Sequence, residues 1–399
     1  MGEHGRSRPA FLALLLLLVL ALHSSLAVPQ AHAAAGLTSV GVGHDPEGLC
    51  YDSGKGEVFV ANNDGSSVSV ISDSSNAVVA TVPVGSSPSA LAYDSGKGEV
   101  FVSDSGSGNV TVIDDSINAV VASVPVGSGP SGIAYDPALN EVFVVNNDEG
   151  TVSVISDASN TVVATIPVGN SPTGIVYDTA TGDLFAASTG VLTSGQVSVI
   201  SNDAVVANIQ VGTAPTGMAY DSETSEIAVA NYGDGTASVI NDSNGSVQSL
   251  PVGAGPQSVA FDPAVGGLVF ADAAGNELAT VSVSGLHPVV TSTIGVSSPY
   301  GVAYDAAKGE VFVSQSASNT VIIYPNSAIT AAETSQSQAS ASSAATSGTG
   351  TTSSSSAPSS SSTGLSASTM ILIVAVVLIF VVIGVIIAKR PKMGATKPT

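Results

Sequence analysis

The 399-residue chain has no tryptophan, one cysteine, five histidines, and nine lysines and arginines against 31 acidic residues. A lone cysteine, Cys50, rules out an intramolecular disulfide, so nothing covalent staples the fold. With 5% aromatic residues, any core must be assembled from many small contacts of Val, Ile and Ala. Residues 36 to 369 hold 30 acidic side chains and three lysines, Lys55, Lys97 and Lys308, a surplus of 27 negative charges. That sign excludes nucleic acid as a ligand; it suits a saline or cation-rich cell surface and draws in cations or basic partners. Past residue 33 the histidines are His44 and His287, too few for a three-histidine zinc site. Serines abound, yet none sits in a nucleophile-elbow pattern with an evident base.

What the chain does have is a repeat. Tyr-Asp, once Phe-Asp, recurs with its Asp at Asp52, Asp94, Asp136, Asp178, Asp221, Asp262 and Asp305, so a unit of 41 to 43 residues is written seven times. A Pro stands six residues before each Asp, from Pro46 to Pro299. One unit contains four short runs, for example Ala90–Tyr93, Glu99–Val102, Val110–Ile113 and Ala119–Val124. Each run is β-branched or aromatic and is bounded by Gly, Ser, Asp or Asn, which turn readily, and no helical period is present. Seven units of four strands predict an all-β fold, a seven-bladed β-propeller over residues 36–325. A slot near the start of each first strand holds Gly48, Ala90, Gly132, Gly174, Gly217, Ser258 and Gly301, small residues suited to a crowded axis. Two places on, Cys50 stands where most units have Ala, which marks it as a buried structural thiol.

The seventh unit stops after three strands, whereas Leu37 to Gly43 precedes the first Pro as a fourth strand would. The N-terminal segment is therefore expected to close the ring.

The ends carry different signals. Residues 1–33 read as a secretory signal peptide, with Arg6 and Arg8, an apolar stretch from Phe11 to Leu22, and Ala31-His32-Ala33 for cleavage. Residues 326–368 form a Ser/Thr/Ala/Gly tract expected to stay unfolded as a mucin-like stalk. Residues 370–388 are uncharged and apolar, long enough to span a bilayer as a transmembrane helix. Lys389, Arg390, Lys392 and Lys397 in the tail 389–399 place that end in the cytoplasm and the propeller outside, a single-pass type I arrangement.

The second-strand segments Phe59-Val60-Ala61-Asn62, Phe143-Val144-Val145-Asn146 and Ala228-Val229-Ala230-Asn231, with Val162 to Gly169 reading Val-Val-Ala-Thr-Ile-Pro-Val-Gly, resemble the YVTN-type β-propeller repeat family. The resemblance spans residues 37 to 324. It implies an archaeal cell-surface or surface-layer-associated protein, and it says little about activity because one propeller scaffold hosts many functions.

Candidate sites follow from the repeat and from its exceptions. The seven repeated aspartates would ring one channel mouth and could hold a divalent cation, but each is followed by a turn, such as Asp52-Ser53-Gly54-Lys55-Gly56, whose backbone N–H groups it can accept, which is the structural reading of the same residue. Asn109, Asn241 and Asn244 begin N-glycosylation sequons. In the fourth unit the span from Asp183 to Val197 is three residues longer than its counterpart, and the added segment Thr189, Gly190, Val191, Leu192, Thr193 is a candidate recognition loop. The Asn/Asp loops between second and third strands lack the ligand spacing of calcium loops, and share a face with the Pro loops, the expected contact surface. The leading functional expectation is a noncatalytic, membrane-anchored extracellular module that binds surface proteins, glycans or a surface layer, without a cofactor. The alternative is a cation-dependent enzyme of the lactonase or lyase kind, using acidic residues at the channel mouth.

Overall fold

The computed structural model describes residues 36–189, 194–283 and 287–346. Twenty-eight strands among them form seven four-stranded antiparallel sheets. Strand β1 (Thr38–Gly41) comes first, and blade 1 follows as β2 (Pro46–Asp52), β3 (Glu57–Asn62), β4 (Ser67–Ser72) and β5 (Ala77–Pro83). Blades 2 to 6 repeat this order over residues 88–125, 130–167, 172–211, 215–251 and 256–295, as β6–β9, β10–β13, β14–β17, β18–β21 and β22–β25. The seventh blade supplies β26 (Pro299–Asp305), β27 (Glu310–Gln315) and β28 (Thr320–Pro325), and its fourth strand is β1. Register runs Thr38↔Ile323 to Gly41↔Thr320, so the N-terminal strand closes the ring as the sequence implied.

Second and third strands are buried on both faces, which is why Glu57–Asn62 reads as an apolar run and not as an alternation. Each blade interface has its own apolar cluster; between blades 1 and 2, Phe59, Val68, Val70 and Val82 meet Leu91, Val100, Val102 and Ile113. Phe59, Phe101, Phe143 and Phe312 occupy one position of the second strand, Phe270 stands one place further on in blade 6, and all five are fully buried. Such a side chain stabilises by roughly 1.5–3 kcal/mol on burial, a contribution that recurs around the ring. Half-buried Cys50 packs against the blade 1–2 cluster. Its thiol is pushed up by desolvation and then by Asp52, and so stays protonated.

The small-residue slot has a direct cause. A Cβ built on Gly48 would lie 2.4 Å from the Ser89 carbonyl oxygen, and one on Gly174 would lie 2.1 Å from that of Thr216. First strands therefore line the axis with backbone against backbone, and larger side chains at the slot would force blades apart. On the rim, the fourth strands carry a bulge at Val79, Val121, Val163 and Val206, each an extra unpaired residue. Bulges twist an edge away from pairing with another strand, which protects these exposed valines.

The stalk expected from residue 326 does not begin there. Asn326–Thr346 is an α-helix, α1, and Ile329 and Ala332 are buried in the cluster between blades 6 and 7 with Ile294, Val296 and Tyr324. Strand β1 pairs only as far as Ile323, leaving Tyr324 without an outer strand neighbour, and the first turns of α1 cover it. Glu333 accepts a 2.7 Å hydrogen bond from Thr291 Oγ1 on β25 (Val289–Gly295), tying the helix to blade 6. Composition misled here because Ala-rich sequence forms helix once a packed face supports it. The signal peptide expected at 1–33, the rest of the expected stalk, the membrane span expected at 370–388 and the tail 389–399 lie outside the described residues. Among the described residues no helix is long and apolar enough to cross a membrane.

If β1 latches the ring, deleting residues 36–43 exposes β28 and the Val321 and Ile323 side chains beside it. A fall in Tm of at least 10 °C by scanning calorimetry is expected, on the order of several kcal/mol for a lost strand; unchanged melting would reject the latch.

Candidate functional site

The two faces of the ring differ in how their polar groups are used. On the face carrying the turns between first and second strands, all seven repeated aspartates do the same work. Asp52 Oδ1 accepts the Gly54 and Lys55 N–H groups at 2.8 and 3.2 Å, and Asp94, Asp136, Asp178, Asp221, Asp262 and Asp305 repeat the pair. The structural reading of these residues is thus the one realised at every copy. They do not converge: each sits at a blade interface, and among the described residues no three His, Cys, Asp or Glu side chains gather to hold a metal ion.

The three lysines lie on this same face and bridge blades. Lys55 of blade 1 reaches Asp115 of blade 2 at 3.8 Å, Lys97 reaches Asp157 at 3.8 Å, and Lys308 of blade 7 reaches Asp73 of blade 1 at 3.6 Å. Each ammonium also donates to the backbone carbonyl of its aspartate. Tyr93 adds a 3.4 Å hydrogen bond to Asp115 Oδ2. Burial, then the facing Asp52 carboxylate, raise Asp115 despite Lys55. Blades 4 and 5 meet differently, because Thr181 stands where Lys would and bonds Asp178 Oδ2 at 2.7 Å. There Asp242 is raised by burial first and by Asp178 next.

The opposite face, which carries the Pro loops and the loops between second and third strands, breaks the repeat. The residue after each Pro is Ser89, Ser131, Thr173 or Thr216 in blades 2 to 5. Those hydroxyls are spent locally: Ser131 Oγ donates to the Thr173 carbonyl at 3.1 Å, Thr173 Oγ1 to that of Pro215 at 2.7 Å, and Thr216 Oγ1 to that of Pro256 at 3.2 Å. Blades 6, 7 and 1 place Gln257, Tyr300 and Glu47 there instead, three consecutive positions around the channel mouth. All three are half-buried. Glu47 is held from behind, since Ser314 Oγ donates 2.6 Å to its backbone carbonyl. Its carboxyl is pushed up to about 7 by burial first and then by Asp45, with the Asn63 amide opposing and Asp64 adding. Tyr300 is pushed up to about 12 by burial, then by Glu47, while a hydrogen bond with Gln257 opposes. Gln257, Tyr300, Glu47 and Asn63 thus form one interacting set.

This set escaped the sequence reading, which followed the repeated Asp. The available signal was the departure from Ser or Thr at a single repeat position in three adjacent units. His44 is exposed on the same face, with Nδ1 3.3 Å from Asn319 Nδ2. Thr189 donates to the Asn170 carbonyl at 3.0 Å there, while Gly190, Val191, Leu192 and Thr193 lie outside the described residues. Of the sequons, Asn109 has its Nδ2 committed to Asp104 at 3.0 Å and Ser123 at 2.9 Å. Asn241 Oδ1 takes the Ser243 hydroxyl, and Asn244 stands exposed with its Oδ1 on the Ser246 N–H at 2.8 Å.

No family model matches the chain, and no curated protein matches it in sequence. Solved structures match it in shape. Kuenenia stuttgartiensis hydrazine synthase aligns at 18% identity over 75% of this chain and 98% of that one, with a TM-score of 0.64. Virginiamycin B lyase from Staphylococcus aureus aligns at 13% over 72% and 98%, TM-score 0.61, and U3-55K at 14% over 73% and 99%, TM-score 0.61. At such identities the shared property is the fold: the chain is a seven-bladed β-propeller.

The raised Glu47 carboxyl has a consequence for stability. A carboxyl that binds its proton more tightly when folded contributes stability below the unfolded value of 4.5, and loses it as pH rises through about 7. Glu47→Gln removes that loss, so Tm should rise by roughly 2–4 °C at pH 8 and change little at pH 4.5. Equal shifts at both pH values would show that Glu47 carries no such penalty.

Proposed function

We propose that this propeller is a noncatalytic binding module of a cell surface, presenting its Pro-loop face to surface proteins, glycans or a surface layer. One observation carries the reading: the polar side chains that depart from the repeat, Gln257, Tyr300 and Glu47, adjoin one another at the mouth on that face. Rigid repeated blades position them, and variation on a rigid scaffold is where recognition is written. The resemblance to YVTN-type repeats supports an archaeal surface setting. The leader-like residues 1–33, the Ser/Thr tract, the apolar stretch 370–388 and the basic tail support a type I anchor with the propeller outside. Sugar on Asn241 or Asn244 fits that setting better than sugar on Asn109, whose amide nitrogen is engaged.

The alternative, a cation-dependent enzyme, has its own support. Asp52, Asp94, Asp262 and Asp305 each keep an Oδ2 buried without a hydrogen-bond partner, and a lyase shares the fold. The residues do not fit a metal cage of six or more oxygens, because the seven aspartates stand apart at separate interfaces.

Proximity labelling on intact cells tests the first reading. Regularising the mouth with Glu47→Ser, Gln257→Ser and Tyr300→Ser should remove most labelled partners while the protein still melts cooperatively. An unchanged partner set would sink it. Calorimetric titration with calcium and magnesium tests the second, and absence of both heat and thermal shift would reject it.

A further inference from the structure

We propose that the mouth formed by Glu47, Tyr300, Gln257 and Asn63 receives a cationic side chain, lysine or arginine, carried on a flexible basic segment of the partner. The inference rests on the Pro-loop face being the binding surface, and adds the chemistry of what it binds. The argument starts from where charge sits. Asp45, Glu47, Asp64, Asp148, Glu149 and Asp234 belong to the Pro loops or to the loops between second and third strands. All three lysines among the described residues are on the other face, each tied to an aspartate of the next blade. The Pro-loop face therefore carries negative charge with no ammonium or guanidinium of its own to balance it.

Within that field the mouth has a composition suited to an organic cation. Glu47 supplies the charge, Gln257 and Asn63 supply amide oxygens able to accept N–H groups, and Tyr300 supplies an aromatic ring beside them. The other slot residues, Ser131, Thr173 and Thr216, are short and already bonded to backbone carbonyls, so they offer a ligand little. Burial first, then Asp45 and Asp64, hold the Glu47 carboxyl at about 7 against the Asn63 amide, so an arriving cation would favour its ionised form. An anionic ligand would add to that repulsion. A neutral sugar would leave the charge unanswered. An ammonium or guanidinium on a flexible stem can enter the mouth, while further basic residues on the same segment meet Asp64, Asp148 and Asp234 around it.

Fluorescence anisotropy on the full-length protein in detergent, at low salt, provides the test, with labelled hexalysine, a Gly-Ser hexapeptide and a neutral oligosaccharide as probes. Hexalysine should bind in a salt-dependent manner and the other two should not. Glu47→Gln and Tyr300→Leu should each weaken hexalysine by about tenfold. Tyr300→Phe, which keeps the ring, should stay within about twofold of wild type. Glu223→Gln, which removes one exposed charge from the opposite face, should also leave binding unchanged. Equal hexalysine affinity for Glu47→Gln, Glu223→Gln and wild type would overturn the proposal, because overall charge alone would then explain binding. Preferential binding of the oligosaccharide would overturn it in favour of a glycan. If the mouth triple variant loses its cellular partners but hexalysine does not bind wild type, the cation inference fails while the binding face stands. If the triple variant keeps its partners, the binding face itself fails.

Discussion

Everything in this molecule depends on the contact between adjacent first strands at the axis. Backbone of one blade lies against backbone of the next at Gly48, Gly132, Gly174, Gly217 and Gly301, closer than any Cβ allows. That approach sets the spacing at which the second-strand Phe of one blade reaches the apolar residues of its neighbour. A single blade has two apolar faces and no core of its own, so no blade is stable alone and closure of the ring completes seven interfaces together. The latch strand and α1 are both answers to the same problem, the unfinished seventh blade.

Polar groups divide between holding the ring together and facing outward. On the turn face the carboxylates cross blade boundaries, where lysine supplies the counter-charge at three interfaces and Thr181 or Asn326 stands in its absence at others. The aspartates of these pairs are buried and the lysine side chains 35–37% exposed, so solvent screens them only in part, and each pair spans an interface that must stay aligned. On the Pro-loop face the repeat position that bonds the next blade through a hydroxyl in blades 3 to 5 gives up that bond in blades 6, 7 and 1. Longer side chains take its place, and local cohesion is traded for groups that face the mouth.

Much of the fold was legible in the chain because its signals are local and repeated. A period near 42 residues, four β-branched runs per unit and a Pro and Asp at fixed spacing each reflect a requirement met within one blade. The turn role of Asp52 and its copies was legible for the same reason, since the acceptor and its donors are two and three residues apart. Helix α1 was not, because nothing in Asn326 to Glu333 announces a helix until Ile329 and Ala332 find the gap beside Tyr324. The Glu47, Tyr300 and Gln257 set was not legible either, as its members come from both ends of the propeller and meet only when blade 7 closes on blade 1.

The amino-acid sequence by itself determined the blade: strand number, turn chemistry, the small slot and the open seventh unit, all consequences of residue type at short range. Only the tertiary structure decided which departures from the repeat stand side by side, which carboxylates face a lysine of the next blade, and where the helix after β28 docks. Those facts depend on closing a ring of about 290 residues, and contact across such a separation is set by geometry that no short stretch of sequence encodes.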